Sequence, residues 1–351
     1  MASKTPRLKD VAEIAGVSTA TVARVLHNNG YVADETRQLV MDAVARTGYR
    51  INAIAQGLRR QRTFTIGHML RGLLPNPFFS GVAIGVEREA AASGYAVLIY
   101  NVQEGAEQER RGVEMFIERR VDAIIFTTPL SPDNAALAVN EGIQVVQVER
   151  VTPVQSHAIL VDQYAGAVEA VEHLVALGHR RIAYIGARLR SKQPSTSTWR
   201  NVELERLDGY RHTLAKYGLP LDEDLIILGD YPDAASDTLQ IGAVYMDRLL
   251  QAHPDVTAVF ATSDLLAAGV LQACYKAGLH IPGQISVIGF DNTLSSHLTP
   301  PLTTVGLPML EIGREAVRVV CHHLDADEPL PPSVRTLTAQ LVVRESTGAA
   351  R

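Results

Sequence analysis

The sequence of 351 residues contains only two cysteines and one tryptophan, and no apolar run reaches the roughly 18 residues that a membrane-spanning helix needs. Cys274 and Cys321 lie far apart, and neither belongs to a CxxC motif or a Cys/His cluster. This excludes a disulfide framework and a zinc site of the usual spacing. The first residues carry basic charges without an apolar segment behind them. We therefore expect a cytoplasmic protein that does not enter the membrane and needs no metal or cofactor.

Charge is also scarce, at 20% Asp, Glu, Lys and Arg, and the net charge of -5 argues against nucleic acid as a partner. The distribution is uneven, however. Residues 1–62 hold ten Lys and Arg and five Asp and Glu, a charge of +5, so the remaining residues carry -10. Because a basic segment attracts phosphates even within an acidic protein, this division predicts nucleic-acid contact confined to the N-terminal segment.

From about residue 65 onwards, short apolar runs alternate with longer amphipathic stretches. Such alternation predicts βαβ units and a mostly parallel sheet. The predicted strands are 65–70, 95–100, 121–126, 143–148, 181–185, 256–261 and 285–290, and the predicted helices are 80–93, 107–119, 163–177, 206–217, 236–251 and 264–277. This part is long for one ordinary domain and could form two doubly wound subdomains with a cleft between them, although the strand and helix pattern alone does not prove the split.

Residues 1–50 show no strand pattern, and their three predicted helices cover 8–15, 19–26 and 34–47. Gly16 permits a sharp turn after the first helix, and Ser18 is a good N-cap for the second. This is typical of a helix-turn-helix, whose second helix enters the major groove. A small solvated helical cap is the alternative. The candidate DNA contacts here are Ser18, Thr19, Ala20, Thr21 and Arg24, of which Arg24 can bind a guanine edge through two hydrogen bonds.

Residues 8–26, LKDVAEIAGVSTATVARVL, resemble the beginning of the LacI/GalR family of bacterial regulators. Similar segments follow in the family's order at 48–52 (GYRIN) with 53–58, 66–67 with 76–79 (NPFF), 178–183 (GHRRIA), 288–292 (IGFDN) and 299–305 (TPPLTTV). They span nearly the whole chain, and their joint occurrence is specific. The resemblance implies a small all-α helix-turn-helix domain followed by an α/β body of two doubly wound subdomains, similar to periplasmic binding proteins.

The resemblance also implies roles for the first 63 residues. Residues 1–49 would form the DNA-binding domain, and residues 50–63 a hinge segment that becomes helical on DNA. By position, Tyr49, Asn52 and Ala55 would contact the backbone or groove, and Leu58 would be an apolar wedge between base steps. Two wedges require a homodimer and a near-palindromic double-stranded operator. The chain ends without a heptad tail, which favours a dimer over a tetramer.

For residues 64–346 the resemblance implies an effector-binding and dimerisation domain. Its subdomains are expected at 64–161 plus 293–325 and at 162–291 plus 328–345. Sugar-like ligands need carboxylates that accept from hydroxyls, an arginine clamp and an aromatic face. Residues at matching positions are Phe78, Phe79, Arg150, Asp162, Arg206, Phe260 and Asp291, with Asp264 a weaker candidate. Alternative interpretations are core packing for Phe260, a subdomain brace for Asp162 and a helix cap for Asp264.

Together these patterns predict a transcriptional regulator, expected to be a repressor, whose operator affinity a small sugar or sugar derivative controls. Residues 187–205 form a basic segment that leads into Arg206, so a sugar acid or sugar phosphate is also considered. A solute-binding protein without a transcriptional role is the alternative, and the DNA-reading segment argues against it. An α/β enzyme is the third hypothesis, but GxxxxGK[ST], HExxH and GxSxG motifs are all missing from the sequence.

Overall fold

The computed structural model describes residues 6–26, 29–49, 62–72, 76–103, 105–188, 200–230 and 238–351. The chain divides into two compact units, Met1–Thr63, here called the head, and Phe64–Arg351, here called the body. The division falls where the sequence placed the end of the hinge segment. The predicted contacts Asn52, Ala55 and Leu58 lie outside the described residues.

The head contains three described helices, whose bounds are the predicted ones: α1 Leu8–Ala15, α2 Thr19–Leu26 and α3 Asp34–Thr47. Gly16 ends α1 with φ of 67°, a left-handed conformation that glycine adopts without strain. The apolar positions of the three helices form one small core, made by Val11, Ala12, Ala15, Val22, Val25, Val40 and Ala43. This packing confirms the predicted helix-turn-helix arrangement.

The body alternates strands and helices along almost its whole length. Its first part contains β1 Thr65–Arg71, α4 Pro77–Ala92, β2 Ala96–Val102, α5 Ala106–Glu118, β3 Ala123–Thr127, α6 Pro132–Asn140, β4 Gln144–Val148 and β5 His157–Val161. There follow α7 Gln163–Ala176, β6 Ile182–Arg188, α8 Val202–Lys216, β7 Ile226–Asp230, α9 Thr238–Ala252, β8 Ala258–Ala261, α10 Asp264–Lys276 and β9 Ser286–Asp291. The last elements are β10 Thr303–Gly306, α11 Met309–Asp325, β11 Val334–Leu337 and β12 Gln340–Val342.

The strands form two sheets of six, in the orders β11-β5-β4-β3-β1-β2 and β12-β10-β9-β8-β6-β7. The described strand pairs are parallel except for β10 with β12. Central strands such as β3 and β9 are buried along their whole length, as expected of sheets covered by helices on both faces. The two predicted doubly wound subdomains are therefore present. None of the described helices has the length and hydrophobicity to cross a membrane.

The predicted subdomain boundaries need correction. Strand β10 pairs with β9, so the chain stays in the second sheet beyond residues 291–292, where a crossing was expected. It crosses only between β10 and α11, because α11 packs against α4 of the first subdomain. The third crossing lies between β11 and β12, not at 325–328. The first subdomain is thus 64–161 plus 309–337, and the second is 163–306 plus 340–351.

The C-terminal residues are part of the second subdomain, which extends past the predicted limit at residue 345. The backbone N–H of Ala350 donates to the carbonyl of Leu177 at 2.8 Å. The N–H of Gly348 donates to the Ser286 hydroxyl at 3.0 Å, and the His179 ring also contacts that hydroxyl, at 2.9 Å. The GHRRIA segment therefore anchors the end of the chain.

Candidate functional site

In the head, some of the predicted DNA contacts lie on the exposed face of α2, and another caps this helix. Thr19, Ala20 and Arg24 are exposed, whereas Val22 between them is fully buried. Arg24 therefore lies on a surface that can meet a base edge, with its own helix anchored by the apolar side. This exposed face is what a major-groove contact requires.

Two other predicted contacts of the head have structural roles. The Ser18 hydroxyl accepts from the backbone N–H of Thr21 at 3.1 Å and lies 2.9 Å from the Thr21 hydroxyl, so it caps α2 as predicted. Tyr49 is partly buried and packs against the core of the head. Any DNA contact by these two side chains would be additional to their structural roles, which are the cap of α2 and the packing of the head.

In the body, Arg206 joins groups from several elements. It is 7% exposed, and its Nε donates to Gln163 Oε1 at 2.9 Å while Nη1 donates to the Thr262 carbonyl at 2.6 Å. Its Nη2 lies 3.4 Å from Asp291 Oδ1, and its guanidinium carbon lies 4.0 Å from the centre of the Phe290 ring. The structure thus brings together Arg206 and Asp291, two of the predicted effector contacts.

Asp291 ends β9 in an unusual conformation. Its φ is 99° and that of Asn292 is 55°, both in the left-handed region that non-glycine residues seldom adopt. Burial raises the pKa of Asp291 to about 7, the Arg206 charge opposes this rise, and the charges of Asp264 and Glu149 reinforce it. A strained, buried carboxylate next to an arginine is suited to recognising a ligand that enters the subdomain boundary.

Asp264 supports the loop that follows Asp291. Its carboxylate accepts from the backbone N–H groups of Thr293 at 2.7 Å and Leu294 at 3.3 Å and from the Thr304 hydroxyl at 2.6 Å. The alternative of a cap on α10 is wrong, since Ser263 caps that helix by accepting from the N–H of Leu266. Asp264 is therefore a brace of the loop that carries Asp291.

Sequence reasoning missed Glu149 and Gln163. Glu149 follows β4 and is 3% exposed, and its Oε2 accepts from Gln163 Nε2 at 2.7 Å. Its Oε1 is buried and has no hydrogen-bond partner among the described residues. Burial raises the pKa of Glu149 to about 7, with Arg200 and Arg206 lowering it. Because ligands of parallel sheets bind beyond the carboxyl ends of strands, the position after β4 was the signal that could have revealed Glu149.

Arg150 is not free to clamp a ligand in this structure. Its Nη2 lies 2.6 Å from Glu203 Oε1, and the side chains are 10% and 12% exposed. Arg200 donates from Nη1 to the Glu149 carbonyl at 3.0 Å, donates from Nη2 to the Val161 carbonyl, and pairs with Glu205. Residues 200–206 of the second subdomain therefore reach the end of β4 in the first, although residues 189–199 of the basic segment lie outside the described residues.

The remaining predicted contacts cap a helix or pack in the core. Asp162 caps α7 by accepting from the N–H of Ala165 at 2.9 Å, a contact within its own helix that decides neither the ligand nor the brace interpretation. Phe78 is 5% exposed within the core, and Phe79 beside it is partly buried. Phe260 is fully buried and packs between Tyr184 and Phe290, so it is a core residue and not an exposed ligand platform. Across the described ranges, no group of three or more His, Cys, Asp or Glu could hold a metal ion.

Comparison with known proteins separates the same two parts of the chain. Residues 7–52 match the family described as bacterial regulatory proteins, lacI family, and residues 171–347 match a periplasmic binding protein-like domain. The HTH-type transcriptional regulator AscG of Escherichia coli strain K12 is 32% identical over 342 residues, which cover 96% of this chain and 97% of that protein.

Two solved structures extend the likeness to the whole fold. The Lac repressor dimer bound to operator and the anti-inducer ONPF has a TM-score of 0.76 and 27% identity, covering 99% of this chain and 100% of that one. The transcriptional regulator CelR in complex with cellobiose has a TM-score of 0.71 and 29% identity, covering 97% of this chain and 99% of that one. Both structures combine in one chain the two parts described above.

Proposed function

This chain belongs to the lacI family of bacterial regulatory proteins, and from that premise we propose that it is a repressor that binds a near-palindromic operator as a homodimer. A small effector between the subdomains of the body controls its affinity for DNA. The observation that carries this proposal is the buried set of Glu149, Gln163, Arg206 and Asp291, which joins both subdomains in a chain whose head exposes Arg24 on α2. Coupling follows when an effector binds one arrangement of the subdomains better than another.

The charges of the site favour an uncharged, hydroxyl-rich effector. The guanidinium groups of Arg150, Arg200 and Arg206 each already face a carboxylate, so the described residues offer no surplus positive charge. The unpartnered Glu149 Oε1 needs a donor, which a hydroxyl supplies and a carboxylate or phosphate does not. The CelR relative that holds cellobiose supports a sugar. We therefore place neutral sugars ahead of sugar acids and sugar phosphates.

The proposal includes a non-catalytic role in the cytoplasm, where a regulator of this kind meets chromosomal DNA. The fold forms a binding cleft. The site residues Glu149, Gln163, Arg206 and Asp291 are hydrogen-bonded to or paired with one another, and this set contains no nucleophile next to a base. A solute-binding protein without a transcriptional role is the second candidate. The exposed DNA-reading face of α2 favours the regulator over it.

The test uses the full chain in two steps. Selection from a random library of double-stranded DNA should recover a near-palindromic sequence, and a gel shift should then measure the affinity for it. That measurement is repeated with a panel of neutral sugars, sugar acids, sugar phosphates and nucleosides. A neutral sugar should change the affinity. Recovery of no DNA would overturn the regulator, whereas a response to acidic compounds alone would overturn the neutral effector.

A further inference from the structure

A buried ion pair connects the two subdomains beside the proposed effector site. Arg150 follows β4 in the first subdomain, and Glu203 lies in the first turn of α8 in the second. The two side chains meet at 2.6 Å and are about nine-tenths buried. The contact therefore spans the boundary between the two subdomains.

Within the described residues, the side chains of Arg150 and Glu203 make no hydrogen bond other than the one that joins them. Arg150 Nε and Glu203 Oε2 are both buried without hydrogen-bond partners among the described residues. The two groups therefore depend on each other for compensation of their buried charges. Separating them while they remain dry leaves two uncompensated charges, which is strongly unfavourable.

Arg200 adds a second connection at the same place. It donates to the carbonyl of Glu149, which follows β4, and to that of Val161, which ends β5, and Glu205 orients it from α8. Both connections come from residues 200–205, and both reach the carboxyl edge of the first sheet. Because the two connections share this position, we expect them to form and break together if the subdomain angle changes.

We propose that the Arg150–Glu203 pair, supported by Arg200, is an ionic latch that holds the subdomains in one closure angle. A hinge with discrete arrangements responds to a ligand according to the free-energy difference between them. The latch contributes to that difference before any effector binds. Closure itself does not depend on the proposed function, whereas the consequence for operator affinity rests on it.

The test measures closure in the full chain without DNA or effector. Exposed Glu118 of the first subdomain and exposed Lys276 of the second are replaced by cysteine for paired labels, in a Cys321→Ser background that leaves only buried Cys274. The distance distribution between the labels is then recorded. Arg150→Glu and Glu203→Arg should each broaden and lengthen it by placing like charges together, and the double reversal R150E/E203R should restore it.

Arg211→Glu is the matched control. Arg211 pairs with Glu223 at 2.9 Å, but both residues lie in the second subdomain and are 38% and 63% exposed. This reversal should leave the label distance unchanged. If the reversed variants of the latch do not fold, Glu203→Gln, which keeps the shape of the side chain, gives the same measurement.

An unchanged distance in folded single variants, or failure of the double reversal to restore it, would overturn the latch. A second measurement links the latch to DNA: the single variants should change operator affinity in the absence of effector by at least about fivefold. A changed distance without any operator binding by the wild-type chain would instead leave the latch standing and refute the regulator.

Discussion

The Asp264 carboxylate connects two segments of the second sheet, with Oδ2 2.7 Å from the backbone nitrogen of Thr293 and Oδ1 2.6 Å from the Thr304 hydroxyl oxygen. The first segment begins directly after Asp291 and Asn292, whose left-handed backbones need support from their surroundings. Asp264 does not touch the Arg206 guanidinium through any described hydrogen bond. It acts on the site by fixing the loop that presents Asp291.

Replacing Asp264 with alanine should therefore weaken the effector response, because the loop that presents Asp291 loses its support. The change leaves buried backbone N–H groups without an acceptor, and we expect it to lower the free energy of unfolding by about 3 kcal/mol. Asp264→Asn should preserve most of the effector response and most of the stability, because its amide oxygen can accept from the backbone and its NH₂ can donate to Thr304. Urea unfolding and effector titration of the operator complex measure the two quantities.

Glu109 provides the control for this prediction. It is also a buried carboxylate that accepts from two backbone N–H groups, those of Leu130 and Ser131, but it lies in α5 of the first subdomain. Glu109→Ala should destabilise the body by a similar amount and leave the effector concentration for half-response unchanged. Equal effects of both alanine variants on effector response would contradict a positioning role for Asp264.

The stability of the body should decrease between about pH 6.5 and pH 8. Burial raises the pKa values of Glu149 and Asp291 to about 7, above those of the unfolded chain. The folded state then binds protons that the unfolded state has released, so this stabilisation is complete at low pH and is lost as the pH rises through 7. Each group should account for about 1 kcal/mol over this range.

Urea unfolding at several pH values measures this dependence. The pH range begins at 6.5 because buried His68, whose pKa is lowered by burial to about 4, makes stability rise with pH below 6.5. Glu149→Gln and Asp291→Asn should each flatten the profile. A wild-type stability that rises from pH 6.5 to pH 8 would show that both acids remain ionised in the folded protein.

The sequence predicted best those elements whose local pattern is strong. The three helices of the head have their predicted bounds because each has a complete apolar face and a turn or cap signal, such as Gly16 and Ser18. Strand β10 was missed because Thr303 and Thr304, both fully buried, interrupt the apolar pattern expected of a central strand. The subdomain boundaries were taken from the family resemblance, and the pattern of the sequence could not correct them without β10, which keeps the chain in the second sheet as far as Gly306.

The candidate site was only partly predictable for a related reason. Arg206 and Asp291 were predicted from matching family positions, and they do meet. Glu149, Gln163 and Glu203 were missed because a polar residue at the end of a strand or in the first turn of a helix looks the same in sequence whether it is solvated or buried. Only the packing of the two subdomains makes these residues partners.

Removing the cap of α2 should weaken operator binding through stability. Ser18→Ala deletes the hydroxyl that accepts from the N–H of Thr21, which should cost about 1 kcal/mol of head stability. Ser18→Asp, a residue that also caps helices well, should restore that stability. Thermal unfolding of the head measures the loss of stability, and a gel shift measures the loss of operator affinity. A loss of affinity in Ser18→Ala without any loss of stability would indicate a direct DNA contact by Ser18 instead.

Arg24 should contribute to sequence specificity, because it is the arginine on the exposed face of α2. Arg24→Ala should cost about 1–3 kcal/mol of operator affinity and relax the preference at one base pair of each half-site, since a bidentate contact to guanine is lost. Arg46→Ala is the matched control, because Arg46 is also exposed in the head but lies in the last turn of α3. It should weaken binding to all sequences alike. Gel shifts on operators with single base-pair changes distinguish the two, and an equal loss across all operators in both variants would assign Arg24 to phosphate contact alone.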